Sequence, residues 1–325
     1  MKRIGILLLV VGLAAAVALV AEFGAGAVEQ AIAGMGMPGF LVFCLAHAPV
    51  VALLGLGWRV CLPRDGGASL AAIVWARVLR DAGAEVLPFS ELGGFVIGAR
   101  AAMLGGLAGA EAAASTIVDL TTEAAAQLGF IALGLLALQD IRPGAAVIRP
   151  ALLGLVAIIG AAAGLAVWLR RSGGLDRLLR ARAAPWLAGF GDLDRGLAAF
   201  RAMTGRPRAL AASFAVHLAA WLGVAFEAWL GLRLIGAPIS WQGAIALESL
   251  LFAARSLAFF APNAWGVQEG AYALLAPLVG ISPADALALS LVKRARDLVI
   301  GAPALLIWQR AEAARAWRKR SDPAN

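Results

Sequence analysis

The sequence predicts an all-α polytopic membrane protein: about ten hydrophobic segments, arranged as an inverted repeat with interrupted or re-entrant helices. Three observations carry that expectation. Hydrophobic residues make up 62% of the chain and charged residues 15%, with a mean hydropathy of +0.84, a balance outside the range of soluble globular domains. Apolar runs of roughly membrane-spanning length recur from Ile4 to Trp308. Two of those runs are broken by Pro and Gly at corresponding places in the two halves of the chain.

In chain order, Ile4 to Ala21 reads as an uncleaved first span, because it is longer than the apolar core of a secretory signal and many spans follow. A Gly-rich stretch with Glu22 and Glu29 leads to a second span, Pro38 to Trp58, and these two helices make up residues 1–60. Lys2 and Arg3 before the pair, and Arg59 and Arg64 after it, place the N-terminus in the cytoplasm. The first membrane repeat, 61–169, opens with Ser69 to Gly109, interrupted by Arg77, Arg80, Asp81, Glu85, Pro88 and Gly93-Gly94. Pro and adjacent Gly stop or kink a helix, so this is two short spans or one hairpin that enters and leaves by a single face. The spans Ala112 to Leu138 and Val147 to Leu169 complete the repeat.

Residues 170–208 are soluble in character, with nine Arg against three Asp, and are expected as a basic cytoplasmic linker. The segment Leu175 to Met203 mixes Leu and Phe with Arg and can lie on an anionic membrane surface. The second repeat, 209–308, comprises Ala209 to Gly236, a second interrupted run from Trp241 to Ile281, and Ala284 to Trp308. Residues 309–325 form a basic tail, which puts both termini on the cytoplasmic side of the cell inner membrane.

A shift of 172 residues superposes Gly94 on Gly266, Gly98 on Gly270 and Gly129 on Gly301. Each half then reads as an apolar segment, a break at Pro88 or Pro262, a GxxxG, a short apolar segment, and a long helix charged at mid-depth. Asp119, Thr122, Glu123 and Gln127 share one face of the first long helix. The second carries Lys293, Arg294, Arg296 and Asp297. An ionisable group at that depth costs about 2.5–3.5 kcal/mol on insertion scales, so such groups pair or line a polar cavity. The expectation is that the acidic and basic helices meet near the pseudo-axis and neutralise one another.

Two readings fit these charges, together with Glu248, Arg255, Asn263, Gln268 and Glu269 around the second break. One is a polar path for a lipid head group; the other is a set of ion pairs that holds broken helices in place. GxxxG pairs at Gly94, Gly105, Gly160 and Gly266 are read as close-packing devices, and His47 and His217 as satisfied interior histidines. Gly34-Met-Gly36-Met-Pro-Gly39 fits GxGxxG but follows no strand and is assigned to an extracytoplasmic loop. Cys44 and Cys61 lack ligand spacing, so no metal, cofactor or disulfide is expected. The net charge of +8 flanks apolar spans and lacks finger or RNP patterns, which disfavours nucleic acid.

The blocks Leu87-Pro-Phe-Ser-Glu-Leu-Gly-Gly94, Gly98-Ala-Arg100, Ser115 with Asp119 and Glu123-x-x-x-Gln127, Pro262-Asn-x-x-Gly266-x-Gln268-Glu269-Gly270, and Leu289-Ser-Leu-x-x-Arg294-x-Arg296-Asp297 resemble a known family. It is the flippase-like family built on the lysylphosphatidylglycerol synthase transmembrane region, and the likeness is strongest to its hopanoid-biosynthesis-associated inner-membrane group. The resemblance implies a non-enzymatic lipid flippase or transporter that moves hopanoids from the inner membrane toward the outer membrane. It also implies membrane lipid, and hopanoid-synthesis or transport proteins, as partners. Members that aminoacylate phosphatidylglycerol carry a soluble transferase after the membrane region, and none is expected after residue 325. The implied cleft is Asp119, Glu123, Arg255, Glu269, Arg294, Arg296 and Asp297, with Asn263 and Gln268 beside it. A membrane-embedded transferase using Glu269 or Glu123 as base, and a scaffold for hopanoid-synthesis enzymes, are the alternatives.

Overall fold

The computed structural model describes residues 25–63, 67–86, 91–172, 190, 192–257, 264 and 266–321. Among them the chain is helical and has no strand. The helices are α1 (Ala25–Cys61), α2 (Leu70–Val86), α3 (Glu91–Leu104), α4 (Gly109–Ile141), α5 (Ile148–Ser172), α6 (Leu193–Thr204), α7 (Pro207–Leu234), α8 (Trp241–Leu257), α9 (Val267–Leu275) and α10 (Pro283–Ser321). Four are long and apolar enough to cross a membrane: α1 from Ile32, α4, α5 as far as Leu165, and α7. This is a multi-pass membrane protein. The expected first span, Ile4 to Ala21, lies outside the described residues.

The interrupted runs fold as two hairpins. The arms α2 and α3 have 17 and 14 residues, and α8 and α9 have 17 and nine. At 1.5 Å per residue the longest arm measures about 26 Å, short of the ~30 Å hydrocarbon core. Close approach holds the first pair together: a Cβ on Gly94 would meet the backbone of Arg80 and Ala84, and one on Gly98 would lie 2.8 Å from Arg80 Cβ. The expected packing role of that GxxxG is therefore what the backbone shows. In the second hairpin Gly266 works differently. Its φ of 77° turns the chain into α9, and its N–H is capped by Glu269 Oε2 at 2.8 Å.

The hairpins open on opposite faces of the bundle. Beside the open end of the first lie the C-terminus of α1, the N-termini of α4 and α7, and the late part of α10. Arg206 donates to Leu62 O at 2.9 Å, Arg100 Nε pairs with Glu312 at 3.0 Å, and Leu62, Ala68, Leu107, Met203 and Leu305 share one apolar cluster. Beside the open end of the second lie the junctions after α4, α7 and α9; Arg142 donates to Pro277 O, and Ile235, Ile239, Val279 and Ile281 pack together. The closed ends of the hairpins approach each other, and Arg255 Nη2 of α8 donates to Glu85 Oε1 of α2 at 2.9 Å. The two hairpins thus have inverted orientations.

Three expectations change. The Gly34–Gly39 stretch is not a loop: α1 is helical on both sides of it and breaks only at Gly36, whose φ of 59° and ψ of 174° suit glycine alone. The segment 193–204 of the basic linker is not a surface layer either. Asp192 caps α6 by accepting the Asp194 N–H at 2.9 Å, and Leu197 and Met203 are buried, with Phe200 packed against the same cluster as Leu62 and Leu107. Finally, Gly160 and Gly164 meet nothing within 4 Å. They face outward on α5, whose Leu153, Val156 and Ile158 are exposed as lipid-facing residues are.

Gly94→Leu is expected to abolish a monodisperse folded peak in detergent size-exclusion chromatography, because the added side chain would have to displace the backbone of Arg80 and Ala84. Gly160→Leu, with open space around it, should elute and melt like the parent.

Candidate functional site: three buried charge networks and a hairpin junction

Helical spacing aims the charges. On α2, Arg77 and Arg80 are three residues apart, and on α4, Asp119 and Glu123 are four apart, so each pair shares a face. Arg77 Nη1 and Nη2 meet the two Glu123 oxygens at 2.7 and 2.9 Å. Arg80 Nη1 reaches Asp119 Oδ2 at 2.6 Å and its Nη2 reaches Glu123 Oε2 at 2.8 Å. Arg77 Nε also pairs with Asp81, one turn along its own helix, at 2.8 Å. His217 Nε2 of α7 lies 2.9 Å from Asp119 Oδ1. Asp119 and His217 are wholly buried, and only Asp81, at the edge of this network, keeps part of its side chain exposed.

The second network joins α8, α9 and α10. Glu248 accepts from Tyr272 Oη and from Lys293 Nζ, the latter at 2.6 Å. Glu269 accepts from Arg294 Nε at 2.6 Å, Ser290 Oγ at 3.2 Å and the Gly266 N–H. Gln268 Nε2 donates to Ser290 Oγ at 2.9 Å, while its Oε1 accepts from Arg255 Nη1 at 2.7 Å. The third network ties α10 to α7 and α1. Arg296 pairs with Glu227 and, through Nη2 at 2.8 Å, with Asp297; Glu227 in turn meets His47 Nδ1 at 2.8 Å.

The acidic and basic long helices therefore do not neutralise one another. Asp119 and Glu123 take their counter-charges from α2 of their own half, and Lys293 and Arg294 take theirs from α8 and α9. The sense of charge is exchanged between the halves, basic hairpin on acidic helix in the first and acidic hairpin on basic helix in the second. The reason is local: a guanidinium left to find its partner across the bundle would stand uncompensated in the interior of its own hairpin.

Most of these groups have no capacity left for a ligand. Glu269 is fully buried and spends both oxygens on partners within the bundle. Charge and access coincide instead at the junction of the hairpins, where the side chains of Glu85 and Arg255 remain 27% and 29% exposed. A family model described as Lysylphosphatidylglycerol synthase TM region matches residues 4–304. The chain belongs to this family. No curated protein and no solved structure gives a significant match.

Within this lysylphosphatidylglycerol synthase TM region the match covers both hairpins, all three networks and the junction. Of the residues singled out in the sequence, Asp119 and Glu123 share one network, Gln268, Glu269, Arg255 and Arg294 share another, and Arg296 and Asp297 sit in the third. Gly94, Gly98 and Gly266 shape the breaks as described above, and Gly270 lies in the first turns of α9, where its N–H bonds to Gly266 O at 2.9 Å. Pro88, Pro262 and Asn263 lie outside the described residues. Sequence reasoning missed the partners Arg77, Arg80, Glu85, Glu227 and Tyr272 and left the two histidines without roles. The signal was present in Arg77 and Arg80, two like charges on one helical face of an apolar run, as Asp119 and Glu123 are on theirs.

Truncating one member of a buried pair should cost far more than removing both. Lys293→Met strands Glu248 and is expected to destabilise the protein by about 3–5 kcal/mol, whereas the Glu248→Met/Lys293→Met double variant should recover most of that loss. Thermal unfolding of the purified variants in one detergent checks this.

Proposed function

We propose that this protein is a lipid flippase or transporter of the cell inner membrane, with both termini cytoplasmic, and that its cargo is a hopanoid moved toward the outer membrane. The observation that carries the reading is the junction: two hairpins entering from opposite faces end against each other, with a partly exposed ion pair, Glu85–Arg255, between them. A polar head that reaches this junction from one face is one hairpin away from the other face, while the apolar body of the lipid stays in the bilayer. The three largely buried networks act as struts that keep broken helices rigid around that junction. Family membership supports a lipid-related role, and the hopanoid assignment rests on the resemblance of the motif blocks.

Saturation of Glu123 and Glu269 by guanidinium partners speaks against either as the base of a membrane-embedded transferase, since a base needs a free lone pair directed at its substrate. The positive-inside assignment is supported by Arg59, Arg206, Arg208, Arg310 and Arg315, which share the face on which the first hairpin opens. Removing the segment Leu175 to Met203 does not separate transport from scaffolding, because it would take Leu197 and Met203 out of the core.

A deletion strain is expected to retain its total hopanoids but to accumulate them in the inner membrane, as read by mass spectrometry of separated membranes. Disappearance of a modified hopanoid or an aminoacyl lipid from both membranes would place the protein in synthesis and refute transport. In the same assay Glu85→Arg and Arg255→Glu should each fail to complement, and the doubly swapped protein should recover a substantial part of the outer-membrane hopanoid.

A further inference from the structure

The chain has two histidines, and the hairpin junction uses neither. Both lie where α1 packs on α7, and each meets a carboxylate. His217 of α7 sits against Gly57 of α1, where an added Cβ would lie 2.7 Å from the ring, and its Nε2 is 2.9 Å from Asp119 Oδ1. His47 of α1 meets α7 in turn, with Nδ1 2.8 Å from Glu227 Oε1. His47 and Gly57 on one helix, and His217 and Glu227 on the other, are spaced so that the two sites lie about 15 Å apart along the bundle. Val50, Leu54 and Ala220 form a buried apolar cluster on the same two helices between them. The sites are therefore separate.

Around His217, α2 brings Arg77 and Arg80, α4 brings Asp119 and Glu123, and α1 brings the Cys61 thiol, which bonds Ser213 one turn before the histidine. Asp81 joins at the edge through Arg77. Three carboxylates thus face two guanidinium groups. Around His47, α7 brings Glu227, α10 brings Arg296 and Asp297, and Cys44 lies one turn away on α1 itself. Two carboxylates face one guanidinium. Each network is one positive charge short, and each has a histidine in direct contact with it. The lone pairs lead to the same place. Both Glu123 oxygens and Asp119 Oδ2 accept from guanidinium N–H groups, and Asp119 Oδ1 faces His217 Nε2. A carboxylate oxygen holds the imidazole proton on the nitrogen that faces it. The first ring therefore keeps its proton on Nε2, and its Nδ1, buried and without a hydrogen-bond partner among the described residues, is left as an acceptor. At His47 the nitrogens exchange roles: Nδ1 faces Glu227, and Nε2 is the one left to take a proton on a side chain 18% exposed. We propose that His217 Nδ1 and His47 Nε2 are two proton-binding sites, each taking up one proton that closes the charge of its network. The proposal is independent of what the protein carries.

The test is an NMR titration of the full chain in detergent, labelled with nitrogen-15 in histidine alone and purified through a histidine-free tag. With two histidines, one spectrum reports two rings, and either His47→Gln or His217→Gln is enough to assign them. At about pH 8 the rings are expected in opposite tautomers, with N–H on Nε2 of His217 and on Nδ1 of His47; on acidification to about pH 5 each should gain its second N–H. Asp81→Asn removes a partly exposed carboxylate from the first network alone. It should move the His217 transition to lower pH by about half a unit, an approximately threefold loss of proton affinity, and leave His47 unmoved. Asp297→Asn should do the reverse. Because the sites are separate, replacing one histidine should leave the transition of the other in place. Hydrogen bonds with a purely structural role would give the tautomers without the second proton. A ring that keeps a single N–H throughout, the same tautomer in both rings, or transitions that neither Asp variant moves would overturn the proposal, and the wild-type titration decides the first two without requiring any variant to fold.

Discussion

An unpaired charge in a hydrocarbon environment is so costly that its partner has to arrive with it, and the bundle is organised by that requirement. Arg77 and Arg80 sit on a helix too short to cross the bilayer, yet they are buried because Asp119 and Glu123 project from the long helix that follows. Lys293 and Arg294 interrupt what would otherwise be an apolar span, and α8 and α9 supply Glu248 and Glu269 to meet them. Each hairpin is in this sense the counter-ion of the next long helix. The apolar clusters pack around these struts: Phe43, Leu232, Leu247 and Leu289 around the second network, and Trp58, Leu79 and Val118 near the first. Glycine contacts between α2 and α3 then let the backbones come close enough for the guanidinium groups to be enclosed.

Much of the fold was legible because hydropathy reports depth directly. The interrupted runs at Ser69–Gly109 and Trp241–Ile281 became hairpins, and the spans Ala112–Leu138, Val147–Leu169 and Ala209–Gly236 became α4, α5 and α7 with ends shifted by a few residues. Azimuth was less legible. A mid-depth charge announces that it has a partner without saying which neighbouring helix supplies it, and Arg77 and Arg80 looked like defects in a span. Loops were misjudged for a related reason: Gly34 and Gly36 weaken a helix by propensity, but packing of Met35 and Phe43 against α7 outweighs that cost. Amphipathic α6 was hidden by the arginines around it, although Asp192 two residues before Asp194 is a cap signal followed by apolar residues at helical spacing.

The charged residues picked out in the sequence lie in three separate networks rather than along one continuous cleft. Residues chosen for their charge at mid-depth proved to be those whose charge is most fully used, which is what burial demands of them. Glu85 and Arg255, where the two hairpins end, keep part of their side chains exposed, and partial exposure cannot be read from a hydropathy pattern.

Compensation within each half also bears on how the chain reaches the membrane. The principal partners lie 39 to 46 residues apart in the first half and 21 to 69 in the second. Soon after α4 leaves the ribosome, the arginines of α2 have their carboxylates at hand, so the first half can partition into lipid without waiting for the second to be translated. A bundle neutralised across its axis would have to hold both charged helices in the translocation channel until synthesis was nearly complete. Because the sign of charge is exchanged between the halves, most of the buried charge is compensated half by half, and pairs such as Glu85–Arg255 and Arg100–Glu312 close when the second half arrives.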